Sequence, residues 1–212
     1  MTGSGRFITF EGGEGAGKST QARRLAVALR HVGHEVLETR EPGGSPGAEE
    51  IRRLLTTGQP GRWSPMAETL LHFAARCDHV ARLIRPALAA GQWVVCDRFL
   101  DSTMAYQGYG QGIDRDFIAR LGAAVLGDLK PALTLVLDLP VEQGLTRAKA
   151  RAGREDRYEK MALAFHDKVR GGYLAIAAAE PARCLVIDAA GDEEATWRQV
   201  AAAVKERLGV AV

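Results

Sequence analysis

The chain has little cysteine, almost no net charge and no long apolar run, and each shortage removes a class of protein. Its three cysteines, Cys77, Cys96 and Cys184, are widely spaced and set among apolar neighbours. An odd, scattered set of this kind argues for buried reduced thiols and against a disulfide framework or a zinc site. A net charge of +2, with no block of like charge, gives no footprint for nucleic acid or an anionic membrane. No stretch approaches the roughly 20 apolar residues that a bilayer span requires. Nor does any N-terminal segment join basic residues, an apolar core and a small-residue cleavage site, so a cytoplasmic compartment is expected. Repeats and low-complexity segments are missing too, and 212 residues suit one domain better than two.

What is present is concentrated near the start. Gly12-Gly13-Glu14-Gly15-Ala16-Gly17-Lys18-Ser19, followed by Thr20, has the spacing of a loop that cradles phosphates. Glycines let backbone N–H groups turn inward, Lys18 reaches the β/γ oxygens, and Ser19 offers a hydroxyl to Mg²⁺. The flanks agree. Arg6 to Phe10 reads as a buried strand, and Ala22, Leu25, Ala28, Leu29 and Val32 recur at a helical period. A helix there aims its positive dipole end at the same anion. The residues therefore predict a nucleotide triphosphate handler.

Further along, His34 to Thr39, Trp93 to Cys96, Leu133 to Leu137 and Cys184 to Ile187 read as strands. Helical patterns separate them: Ser45-Pro46 opens one that runs to Leu55, with Ser45 as cap and Pro46 in the first turn. Ser64-Pro65 opens a longer one, closed by Gly91, with Leu70, Phe73, Cys77, Val80, Ala81, Ile84 and Leu88 on one face. Asp114 to Leu126, Pro140 to Arg151, Glu159 to Ala179 and Asp192 to Leu208 complete the set. Five strands alternating with helices predict an α/β fold of the P-loop NTPase kind, a five-stranded parallel sheet covered on both faces. The strand ending at Asp97-Arg98 would present these residues at the functional edge of the sheet. A GTP switch is disfavoured, because no Asn-Lys-x-Asp motif exists and Asp188-Ala-Ala-Gly191 follows the last strand. Val94-Val95-Cys96-Asp97 is only a partial form of the apolar run and acid found in motor ATPases.

Several segments now converge. Thr39-Arg40-Glu41-Pro42-Gly43-Gly44, Phe73-Ala-Ala-Arg76, Asp97-Arg98-Phe99 with Ser102 and Ala105-Tyr106-Gln107-Gly108, and Asp156-Arg157-Tyr158-Glu159 together resemble the bacterial thymidylate kinase family, from about residue 6 to the C-terminal helix. The resemblance implies transfer of the ATP γ-phosphoryl group to dTMP with Mg²⁺, in a protein that is usually a homodimer. It implies that Arg98 clamps the acceptor phosphate, that Asp97 orients it or helps Ser19 place the metal, and that Arg76 hydrogen-bonds the base. Either His72 or Phe73 would stack on thymine, since both lie one turn before Arg76 on the same helical face. Pro42 would line the pocket near the 5-methyl group. Ser102, Thr103, Tyr106 and Gln107 would belong to the acceptor helix, with Tyr106 excluding a ribose 2′-hydroxyl, and Glu14 would stand near the 3′-hydroxyl. Family members with an arginine in the phosphate loop supply transition-state charge from there, and this loop has none. A lid over residues 147 to 158, dense in cations, would supply it from Arg151 or Arg154, with Arg157 held by Asp156 or Glu159 as a structural alternative. Two other readings stay open: a P-loop kinase for a different acceptor, and a nucleotide-binding regulator without turnover. The second has no need of a mobile cationic lid.

Overall fold

The structure is a computed structural model that describes residues 6–150 and 157–212. Its centre is a parallel sheet of five strands, β1 (Phe7–Gly12), β2 (Val36–Arg40), β3 (Trp93–Asp97), β4 (Leu133–Asp138) and β5 (Cys184–Asp188), in the order β2-β3-β1-β4-β5. Side chains alternate across it, as strand geometry requires. Ile8, Phe10, Val95, Leu135 and Leu137 pack on one face with α1 (Lys18–His31) and α9 (Glu193–Leu208). Phe7, Val94 and Cys96 meet the opposite layer. That layer contains α3 (Pro65–His79), which continues through a π-helical segment (Val80–Ile84) into α4 (Arg85–Ala89). It also contains α8 (Leu163–Ala179) and α5 (Leu100–Thr103), which runs into a second π-helical segment (Met104–Gly110). With helices on both faces, the central strands β1, β3 and β4 are mostly apolar, with Thr9, Glu11 and Thr134 as buried polar exceptions, while the edge strand β2 is largely polar. The expected fold class is what the structure has.

The remaining helices are α2 (Pro46–Thr56), α6 (Arg115–Leu126) and α7 (Val141–Ala150). Pro65 sits in the first turn of α3 while Ser64 Oγ accepts from Ala67 N at 3.3 Å. Asp192 caps α9 in the same way, by accepting from Ala195 N. Ser45 is different: it precedes α2, but its hydroxyl donates to Asp78 of α3 at 2.6 Å and makes no capping bond. No helix among the described residues is long and apolar enough to cross a membrane.

Three expectations need correction. The buried face of the long helix includes Phe73, Val80 and Ile84, but Leu70 is 48% exposed and Cys77 and Ala81 face outward. The inward positions are taken instead by Glu68, Thr69, Arg76 and His79; the partners of Glu68, Arg76 and His79 lie on other elements and are invisible to a hydrophobicity template. The π-helical turns shift the stripe again, just before Pro86, which has no N–H to give to the preceding turn. Cys96 and Cys184 are buried thiols as expected, while Cys77 is not. Finally, α8 begins at Leu163 and not at Glu159, because residues 157–160 form turns.

Candidate active site

The carboxyl ends of β1 and β3 open onto a cavity of about 420 Å³, the position at which parallel α/β sheets bind ligands. The phosphate loop forms one wall. Gly12, Gly15 and Gly17 all have positive φ, and a Cβ on Gly15 would lie 1.9 Å from the carbonyl oxygen of Gly144 in α7. Only glycine fits there. Lys18 is buried and donates from Nζ to the Gly13 carbonyl at 2.6 Å. Burial, and then the nearby Arg98 guanidinium, pull its pKa down to about 8 against the opposing pull of Glu14, Asp97 and Glu11. An ammonium held so reluctantly is ready for an anion.

Next to it, the Ser19 hydroxyl donates to Asp97 Oδ2, and Asp97 Oδ1 is buried with no hydrogen-bond partner among the described residues. Arg98 has φ 70° and is the hub of the site. Its Nη2 donates to Glu14 Oε1 at 2.9 Å and to Tyr106 OH at 3.0 Å. Its Nη1 donates to Tyr173 OH at 3.1 Å, Gly12 O at 3.2 Å and Ser102 Oγ at 3.3 Å. Burial alone would push the Glu14 carboxyl up, but Arg98, Lys18 and the Tyr106 hydroxyl, which donates at 2.7 Å, outweigh it and hold Glu14 at about 2. Glu14 is thus ionised and turned onto Arg98.

The far wall is built around Arg76, 2% exposed. Its Nε donates to Glu41 Oε2 at 2.7 Å, and its Nη2 to Phe99 O and Thr103 Oγ1, both at 3.0 Å. His79 Nδ1 meets the second Glu41 oxygen at 3.0 Å. Arg76 Nη1 is buried and unpartnered among the described residues, an expensive state for a charged donor unless a ligand completes it. His72, Pro42, Ser102, Tyr106 and Gln107 line the cavity beside Arg76. His72 Nε2 is 2.9 Å from Tyr158 OH. Its pKa is lowered to about 3, by burial first and then by Arg76, Arg157 and Arg98, so the imidazole is neutral.

Some expected site residues stand elsewhere. Phe73 is a core residue off the cavity, with the Arg76 guanidinium 5.2 Å from its ring centre. Thr103 is also off the cavity and supports Arg76. Gly12 and Gly13 border a second, smaller cavity of about 20 Å³ behind the loop, and Thr20 is exposed outside both. Arg151 and Arg154 lie outside the described residues, as does Asp156. Arg157 is buried on Glu68 of α3 and on the Leu55 carbonyl at 3.1 Å, a different anchor from the one expected. Arg147 donates to the carbonyls of Ala189, Ala190 and Gly191. Among the cavity residues that drew no attention as site residues in the sequence are Arg40, Arg52 and Tyr158. The first and last fall inside the motifs quoted above. Arg52, which donates to the Pro42 carbonyl at 2.6 Å, has no local signal, being one of several charged residues on an amphipathic helix.

The cavity therefore has a phosphate loop and paired Ser19 and Asp97 at one end, a guanidinium hub in the middle, and a half-partnered arginine beside a neutral histidine at the other. Comparison with known proteins agrees. The family model described as Thymidylate kinase matches residues 10–200. The thymidylate kinase of Caulobacter vibrioides is 57% identical over 97% of this chain and 99% of its own length. That of Geobacter sulfurreducens is 50% identical over 96% and 98%. The crystal structure of thymidylate kinase from Ehrlichia chaffeensis superposes with a TM-score of 0.75 at 35% identity, covering 93% of this chain and 97% of that one. On sequence, fold and site together, this chain belongs to the thymidylate kinase family.

Proposed function

We propose that the chain transfers the γ-phosphoryl group of ATP to dTMP, giving ADP and dTDP, and that the two nucleotides meet at Arg98. The observation that carries this reading is the unpartnered Arg76 Nη1 on a cavity wall shared with His72, Pro42 and Gln107. A donor fixed there suits a pyrimidine carbonyl. His72, not Phe73, is the side chain that would lie against the base, and Tyr106 would crowd a ribose 2′-hydroxyl. Arg98 would release part of its hydrogen bonding to take the acceptor phosphate, for which a planar guanidinium is well shaped. Glu14 is already its counter-ion and would stand near the sugar 3′-hydroxyl.

Phosphoryl transfer asks mostly for alignment and charge neutralisation. Lys18 would follow the transferred oxygens, and a cation from the segment holding Arg151 and Arg154 would complete the charge, since the loop from Gly12 to Ser19 contains no arginine. Ser19 and Asp97 would hold Mg²⁺, which when bound neutralises the β- and γ-phosphates. The fit rests on Asp97 Oδ1, buried and without a hydrogen-bond partner among the described residues. Two protein side chains suffice, because Mg²⁺ takes its other ligands from phosphates and water.

A coupled ADP-release assay with dTMP, dUMP, the ribose form of TMP, CMP, AMP, GMP and thymidine tests the reading. Preference for dTMP over dUMP of about tenfold or more in kcat/KM is expected, the range one pocket methyl commands. Equal or better use of another acceptor would assign the site to a different nucleoside monophosphate kinase. Absence of acceptor-dependent turnover would leave a nucleotide-binding regulator.

The reading extends to a cytoplasmic homodimer. Leu54 of α2 and Met66 and Leu70 of α3 leave apolar surface uncovered on two helices that pack together, and such surface suits a second copy. Sedimentation velocity at micromolar concentration should give twice the chain mass, and a single-chain mass would remove this part.

A further inference from the structure

We propose that Glu11, which does not touch the cavity, is a positioning residue for the acceptor-phosphate clamp; the proposal rests on the reading of Arg98 just given. Glu11 lies on β1, wholly buried, where an ionised carboxylate is costly unless donors surround it. It has three. Phe99 N donates at 2.8 Å, Ser102 Oγ at 2.5 Å and Tyr173 OH at 3.2 Å.

All three are also neighbours of Arg98. Phe99 follows it in the chain, and Ser102 Oγ and Tyr173 OH are the acceptors for its Nη1. A hydroxyl has one proton and two lone pairs. Ser102 Oγ gives its proton to Glu11, and Tyr173 OH, 2.8 Å from Ser102 Oγ, gives its own to Ser102 or to Glu11, so neither proton points at Arg98. Their lone pairs are thereby left facing the guanidinium. Glu11 thus orients two hydroxyls and fastens the peptide after Arg98, whose own N–H is held by the Phe10 carbonyl at 2.9 Å. This arrangement keeps Arg98 in a left-handed backbone conformation that a side chain of its kind otherwise avoids.

The rest of the surroundings reinforce this assignment. Asp101 is the carboxylate that acts on Glu11, and Arg183 engages it through two bonds of 2.7 and 2.8 Å, so that Arg98, with Lys18 beside it, supplies the positive charge for Glu11. Arg183 also donates to Thr134, which is bonded to Thr9 of β1 at 2.8 Å. Arg183 thus ties Asp101 to Thr134 of β4 and, through it, to Thr9 of β1.

The test is a double-mutant cycle with dTMP and ATP varied separately. Glu11→Gln keeps the shape but supplies a single acceptor oxygen and an NH₂ that turns a hydroxyl around. It should lower kcat/KM for dTMP about tenfold, the range for hydrogen bonds to a charged group, with KM for ATP within about twofold. In an Arg98→Ala background, Glu11→Gln should change kcat/KM for dTMP by less than about twofold. Tyr173→Phe, which removes one relaying hydroxyl outside the main cavity, should give the same dTMP-selective loss and stands in for Glu11→Gln if that variant does not fold. Unchanged dTMP kinetics in both variants, an equal rise in KM for ATP, or full multiplication with Arg98→Ala would each overturn the proposal. The reading of Arg98 is tested apart: if Arg98→Ala alone leaves kcat/KM for dTMP intact, that reading fails whatever Glu11 does.

Discussion

Replacing Lys18 by methionine is expected to lower kcat by about 10²- to 10³-fold, the range for removing one preorganised donor to developing negative charge, while the protein stays folded and loses no thermal stability. Both halves follow from the same burial. In the free protein the ammonium has one neutral oxygen at hydrogen-bond distance, Gly13 O, and its pKa is depressed from 10.5 to about 8. A base with a depressed folded pKa contributes its full stability only above the unfolded value. That contribution is lost as pH falls from about 10.5 to about 8, so at neutral pH the charged Lys18 burdens the free fold. Methionine has similar reach and no charge, and removes that burden. The triphosphate is what repays the lysine, most strongly as charge spreads over the transferred group. Steady-state kinetics and a thermal melt on one preparation check the two halves. A kcat within tenfold of the parent, or a melting temperature well below it, would contradict this account of Lys18.

The second large effect concerns stability. Among the described residues, Arg76→Met leaves Glu41, also buried, with His79 as the remaining bonded partner of its carboxylate and removes the donors to Phe99 O and Thr103 Oγ1. Breaking a buried pair from one side costs about 3–5 kcal/mol, which for a chain of this length is a fall of roughly 10 °C or more in Tm. Acceptor binding should vanish as well, but an unstable variant could show that for trivial reasons. Pairing the change with Glu41→Gln separates the two. The double variant no longer buries an uncompensated charge and should recover most of the lost stability, yet it still lacks Nη1 and should still fail to discriminate dTMP. Differential scanning calorimetry beside isothermal titration with dTMP reads both. Recovery of binding along with stability would make Arg76 a scaffold residue and nothing more.

These predictions differ in how far the sequence alone would have led to them. Lys18 was legible because everything that gives it a role is adjacent: the glycines, the strand before and the helix after lie within about thirty residues and obey local periodicities. The central strands were legible for a related reason, since a parallel sheet covered on both sides writes its inner strands as largely continuous apolar runs. Arg76 could be named through the family motif, but not why it is buried. Its counter-ion is 35 positions away on the loop after β2, and pairing across such a distance leaves no period in the sequence. The same holds for Arg157, whose partner Glu68 is 89 positions off, and for Tyr173, an aromatic of α8 that only the folded chain brings to Arg98. Apolar patterning also chose the wrong residues for the outer face of α3. Leu70 and Cys77 look like core, while Glu68 and Arg76 are among the residues that go inside. Helical spacing let either His72 or Phe73 reach the base, but periodicity alone read Phe73 as core, and the structure places the histidine on the cavity and the phenylalanine in the core behind it.

Arg98 is the only non-glycine at positive φ among the described residues, and this has a bearing on how the protein can change. At such a position glycine usually relieves about 1 kcal/mol of backbone strain, so a screen for heat resistance that ignored turnover would be drawn towards it. The same exchange would strip the hub from the site. At this one codon selection for durability and selection for catalysis pull apart, and stabilised variants of the enzyme should be sought anywhere but there.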